Sequence, residues 1–160
     1  MMTKQIQAAI GAFRKIILGG VPLLLQQDET AFLSFMCSLA AIDALAAYRY
    51  TTGVAGIRFR DFITEYFPTA YAPHVRNLYR LRCRILLNFS PAYFTLTHAR
   101  PGVHLQTSPI GDTILSDDVF FQHLANVATN FFNEVEVNVD RQNAMHARLL
   151  NIDEGGAIFY

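Results

Sequence analysis

The sequence predicts a mainly α-helical domain, a bundle of about five helices with one small β-hairpin inserted before the last long helix. Three observations carry this prediction. Apolar residues recur at helical spacing along most of the chain. One tract, from about residue 92 to 107, switches to strand-like alternation. And 52% of the 160 residues are hydrophobic while only 16% are charged, enough apolar material for one sizeable core.

Residues 3–18 place Ile6, Ala9, Ile10, Phe13, Ile16 and Ile17 on one helical face, and Gly19-Gly20-Val21-Pro22 is expected to end that helix. Asp28 can cap a second helix running from about Glu29 to Tyr50. It is apolar almost all round, which suits the middle of a domain. Thr51–Gly56 breaks the chain. A short amphipathic helix from Arg58 to Phe67 shows Phe59, Phe62, Ile63 and Tyr66 on one side, and Pro68 stops it. The next helix spans His74 to Phe89. The alternation of Tyr93–His98 and Val103–Thr107 about Arg100-Pro101-Gly102 reads as a hairpin that must pack on the helices to be stable. Ser116, followed by Asp117 and Asp118, caps the long final helix, with a break near Val137–Val139 before it runs on through Leu150. Residues 153–160 form a short tail with Gly155-Gly156 as a hinge, so the whole chain is one domain.

Thirteen basic and thirteen acidic residues balance, which argues against a strong field for nonspecific nucleic-acid binding. Arg76, Arg80, Arg82 and Arg84 still form a local basic patch. Thirteen Phe and seven Tyr on so weakly charged a chain leave little material for a fully solvated surface, so an apolar patch covered by a second copy is expected. Cys37 and Cys83 read as buried free thiols, and no disulfide framework or metal site is indicated. The apolar run Ala31–Tyr48 contains Asp43 and is at the short limit for a membrane span, so it reads as a buried core helix. No cleavage site follows the apolar N-terminal stretch, and the expected compartment is the cytoplasm.

The segment Leu78–Phe89 carries the chemistry. On a helical wheel starting at Leu78, the residues Leu81, Ile85, Leu86 and Phe89 fall within about 80°, and Arg82 at about 40° falls among them. A guanidinium on an apolar face cannot shed its proton and needs a partner. Asp43, alone in Ala40-Ala41-Ile42-Asp43-Ala44-Leu45, needs a donor for the same reason. Asp43 is expected to meet Arg82, or a tyrosine such as Tyr48 or Tyr79. The pair then serves either as an internal clamp between two helices or as the heart of a site.

The order of these features is an apolar helix with an internal Asp and trailing Tyr48-Arg49-Tyr50, then Phe62-x-x-x-Tyr66-Phe67-Pro68. Leu78-Tyr79-x-Leu81-Arg82-Cys83 and Asn88-Phe89-Ser90 follow, and then the hairpin. From about Asp28 to Phe132 this resembles HEPN-like domains, helical proteins of bacterial toxin–antitoxin and anti-phage systems. In active members an Arg followed after four to six residues by a His forms a metal-independent RNase site, and two copies meet across a homodimer. Arg82 matches the arginine, while Leu87, Asn88 and Phe89 occupy the positions open to the histidine. RNA cleavage needs a base for the 2′-OH and an acid for the leaving oxygen. Leu87 can be neither, and Asn88 can only hydrogen-bond. Arg82 can still hold a phosphate. The resemblance therefore implies the fold and the dimer, with a degenerate nuclease motif.

His98 and His104, beside the expected hairpin turn, are the candidates for a replacement base, although such residues commonly sit on a hairpin surface. His74 lies roughly 12 Å along the helix from Arg82, too far to serve, and His123 and His146 are expected to face solvent. The favoured expectation is a homodimeric binding or regulatory protein without cofactor or metal. Its candidate partners are RNA, a nucleotide or a cognate protein, and no membrane. The alternatives are a residual RNase using Arg82 and His98, and an oligomeric structural protein.

Overall fold

In a computed structural model, which describes residues 2–153, the chain is a mostly helical bundle with a small two-stranded sheet ahead of its C-terminal helices. The helices are α1 (Lys4–Phe13), α2 (Val21–Leu24), α3 (Asp28–Arg49), α4 (Ala55–Tyr66), α5 (Val75–Asn88), α6 (Asp117–Val137) and α7 (Val139–Asp153). The strands are β1 (Phe94–Thr97) and β2 (Thr113–Ser116). The expected tail beyond Asp153 lies outside the described residues.

Thr3 caps α1 by accepting from the Ile6 N–H, and Ile6, Ile10 and Phe13 are its buried face. Gly19-Gly20-Val21-Pro22 does not end this helix. The chain passes through a π-helical turn, Arg14–Leu18, and continues into α2. Pro22 lacks an N–H and its ring would crowd the carbonyl four residues back. The wider turn absorbs that mismatch, with the Gly19 N–H reaching back five residues to the Arg14 carbonyl at 2.9 Å. Only glycine fits after it, because a Cβ at Gly20 would lie 2.2 Å from the Ile16 carbonyl oxygen.

α3 is the central element, packed against α2, α4, α5, α6 and α7. Its residues Phe35, Leu39, Ile42 and Leu45 are fully enclosed. Lys4–Leu24 and Asp28–Arg49 are both long and apolar enough to cross a membrane, but half of the α3 window is buried within this fold. α4 begins earlier than its pattern suggests, at Ala55, and inserts Phe59, Phe62 and Ile63 into the core. Phe62 stacks on Tyr66 and meets Phe131 edge-on, which joins α4 to α6. A single residue, Asn138, breaks α6 from α7, and its side chain accepts from the Arg141 N–H to start α7.

The sheet departs from the expected hairpin over 92–107. β1 pairs with β2 in parallel, from Phe94 opposite Thr113 to Thr97 opposite Ser116. The segment predicted as the second strand instead lies along the other side of β2, where the Leu105 N–H donates to the Ile114 carbonyl and Thr107 bridges Thr113 in antiparallel sense. The tight turn is Ser108-Pro109-Ile110-Gly111, closed by the Gly111 N–H on the Ser108 carbonyl at 2.9 Å. Proline at the second position and glycine at the fourth favour that turn. Arg100-Pro101-Gly102 forms only a short 3₁₀ turn over Pro101–Val103. This crossover carries His98 and His104 inward onto α6.

Candidate functional site

Arg82 and Asp43 meet. The Arg82 Nε donates to Asp43 Oδ2, joining the middle of α5 to α3. The pair is half-buried: 31% of the Arg82 side chain and 20% of the Asp43 side chain stay exposed. The wheel placed Arg82 inside the buried face, but the enclosed residues are Leu78, Leu81 and Ile85, centred at about −30° on the same wheel. Arg82 sits on the flank of that stripe. Partial burial pulls its pKa down, and the charge and hydrogen bond of Asp43 more than reverse this, so the guanidinium stays charged. Asp43→Ala or Arg82→Ala is expected to cost about 1–2 kcal/mol, less than a fully enclosed pair would. A double-mutant cycle by urea denaturation should return a coupling of about 0.5–1 kcal/mol. Zero coupling would show that the pair does not clamp α3 to α5.

The other sequence candidates are elsewhere. Asn88 spends its Oδ1 on the Ser90 N–H, closing the turn after α5. Phe89 ends the helix in the left-handed conformation at φ 56°. Leu87 is 83% exposed and projects away from the pair. Of the basic patch, Arg80 lies over the Tyr93 ring and Arg76 and Arg84 are exposed. Tyr79, Cys83 and Tyr93 line a surface hollow of about 360 Å³ beside them. Cys37 and Cys83 are free thiols, but half-buried.

His98 is not a hairpin surface residue. Its Nδ1–H donates to Asp117 Oδ2 at 2.6 Å, and its Nε2 lies 3.3 Å from Asp28 at the start of α3. The Asp117 side chain is fully buried, and its second oxygen accepts from the Ala99 and Asp118 N–H groups. The hydrogen bond to Asp117 is the main cause that raises the His98 pKa. A buried carboxylate orienting an imidazole is a workable acid–base dyad. Yet Asp28 and Asp43 lie some four turns apart on α3, roughly 22 Å. Within one protomer His98 and Arg82 therefore cannot act on the same bond.

One cluster has no counterpart in the sequence reading. Tyr71, fully buried in the 3₁₀ turn between α4 and α5, hydrogen-bonds His104 Nε2 at 2.8 Å and His123 Nδ1 at 2.7 Å. The Ser116 backbone N–H donates to His104 Nδ1 at 3.0 Å. A backbone amide donates and never accepts, so neutral His104 carries its proton on Nε2 and donates to the Tyr71 oxygen. The Tyr71 hydroxyl then donates to His123 Nδ1, which leaves the His123 proton on Nε2. Burial, aided by the neighbouring His123, lowers the His104 pKa to about 4, and burial also lowers that of His123. Both rings are neutral. His104 and His123, expected on the surface, are instead tied to the core by a tyrosine. The residues lie 33 and 52 positions from Tyr71, so no local pattern announces them. No family model matches the chain, and no curated protein or solved structure is similar to it above the level of chance.

Proposed function

We propose that the chain is a HEPN-like domain acting in the cytoplasm as a homodimeric binding or regulatory protein, in which Arg82 serves packing and recognition. The end of α5 is the observation that carries this reading. Where the nuclease motif requires a histidine stand Leu87, Asn88 and Phe89, and Leu86, Leu87 and Phe89 are exposed. Such a surface suits a partner, first a second copy and then a cognate protein or an RNA. The exposed Leu86, Leu87 and Phe89 side chains themselves offer no proton acceptor. Reading α3 as a core helix, the protein needs no membrane.

The wild type is expected to sediment as a dimer at micromolar concentration, and Leu87→Asp with Phe89→Asp as a monomer. A monomeric wild type would remove the dimer. The catalytic side is tested by cleavage of a labelled RNA under chelator with wild type, Arg82→Ala and Leu87→His. General acid–base help is worth roughly 10²–10⁴ in rate, so wild-type activity should stay near background. The His98–Asp117 dyad supports a second reading, a residual RNase completed across subunits. Robust cleavage by the wild type that is lost in both Arg82→Ala and His98→Gln would establish it in place of the first.

A further inference from the structure

The outer face of α5 carries a row of arginines with no counter-charge. On the wheel that places Leu78 at 0°, Arg76, Arg80 and Arg84 fall at about 160°, 200° and 240°, and they span roughly 12 Å of helix. All three are exposed, and α5 contains no acidic residue. Most other arginines are engaged. Arg14, Arg49 and Arg141 pair with carboxylates, as Arg82 does. Arg58, Arg60 and Arg148 donate to backbone carbonyls. Among the described residues the Arg76 and Arg84 side chains meet no acceptor, and that of Arg80 meets only the Asn77 amide oxygen, at 3.4 Å. Like charges four residues apart destabilise a helix, and carboxylates laid along the row would reverse the sign of that contribution.

The hollow of about 360 Å³ beside the row is lined by Tyr79, Cys83 and Tyr93 together with Arg80 and Arg84. Its wall is held in place from behind. The Tyr79 ring packs on Phe59, and a Cβ at Gly56 would lie 2.8 Å from it, so α4 supports the ring by direct backbone contact. Three arginines over roughly 12 Å outreach any single small anion. Carboxylates one helical turn apart, or two residues apart on a strand, repeat at about 6–7 Å and match the arginine spacing. An RNA would also bring spaced anions. Its bases, however, find Tyr93 already covered on one face by Arg80 and Tyr79 packed on Phe59, and the balanced charge of the chain gives no long-range field.

We propose that this face of α5 docks an acidic segment of a partner protein, with carboxylates along Arg76, Arg80 and Arg84 and an apolar side chain in the hollow. This rests on the reading of the chain as a binding protein and supplies the chemistry of its protein partner. It does not require the dimer, which sedimentation tests separately.

A short labelled peptide of repeating Glu-Leu-Ala-Ala units, titrated with the full chain at low salt, tests the proposal. Fluorescence anisotropy should show saturable binding below about 1 mM that weakens as salt is added. ¹H–¹⁵N NMR shifts should concentrate at Arg76, Arg80, Cys83 and Arg84. The same peptide with glutamine for glutamate, or with alanine for leucine, should bind several-fold or more weakly. Arg76→Ser with Arg80→Ser and Arg84→Ser should weaken the acidic peptide about tenfold without lowering the melting temperature. No saturable binding up to about 1 mM, or shifts confined to other regions, would overturn the proposal. So would equal binding of the glutamine peptide, or undiminished binding by the triple variant. A single-stranded RNA of similar length that binds tenfold tighter than the acidic peptide would assign the face to nucleic acid instead. The peptide comparisons use wild-type protein only and stand whether or not the triple variant folds.

Discussion

Tyr71→Phe is expected to destabilise the protein by about 2–4 kcal/mol, although it removes a single oxygen atom. The hydroxyl is fully buried and serves two partners, accepting from His104 and donating to His123. Phenylalanine keeps the ring packed against Phe67 and Phe120, so the apolar contribution is unchanged. The cost is that of an orphaned imidazole donor and an orphaned imidazole acceptor, each about 1–3 kcal/mol, reduced by whatever water reaches the half-buried rings. Urea denaturation measures it as a shift of midpoint at constant slope. A loss below about 0.5 kcal/mol would show that the Tyr71 hydrogen bonds contribute nothing to the fold.

The same histidines make the protein sensitive to acid. His104 has a folded pKa near 4 against 6.5 in the unfolded chain, and that of His123 is also lowered. Between those values the unfolded chain binds protons that the folded protein refuses, so stability falls as pH drops through this window. Each pKa unit corresponds to about 1.4 kcal/mol, and His104 is only half-buried, so solvent screening reduces its share to about 2 kcal/mol. Asp118 is the carboxylate that opposes the shift. His98 has the reverse sign. Held by Asp117, with Asp28 and Asp118 nearby, its folded pKa lies above 6.5. It contributes stability that is fully present below 6.5 and is lost as pH rises through the raised value. The histidines together place maximum stability close to pH 6.5. Melting temperatures recorded from about pH 4 to pH 8 should show both limbs. His104→Asn and His123→Gln should flatten the acid limb, and His98→Gln the alkaline one. An acid limb unchanged by His104→Asn would assign it to carboxylates instead.

The helices were legible because their information is local. Apolar spacing placed α3 and α5 to within a residue or so at each end, and the break at Asn138 was visible in the polar interruption near Val137–Val139. The pairing of Asp43 with Arg82 was also within reach, since each charge interrupts an apolar face and a charge in such a place needs a partner. The failures share a cause. Arg100-Pro101-Gly102 and Ser108-Pro109-Ile110-Gly111 are both good turn signals, and choosing between them depends on which segment can lie along β2 while β1 covers its other side. At Gly19-Gly20-Val21-Pro22 the local breaker signal lost to packing, because Val21 is fully enclosed and a π-helical turn costs less than exposing it.

By itself, then, the sequence determined a helical bundle around one almost wholly apolar helix, and two charges, Asp43 and Arg82, that interrupt apolar faces and each need a partner. Periodicity and the cost of unpaired charge act over a few residues and are readable along the chain. Only the tertiary structure decided the parallel pairing of β1 with β2, the separation of His98 from Arg82 by some four turns of α3, and the meeting of Tyr71 with His104 and His123. Those outcomes depend on which distant segments share a neighbourhood. Hydrogen-bond satisfaction selects among such arrangements only after the core has brought the segments together.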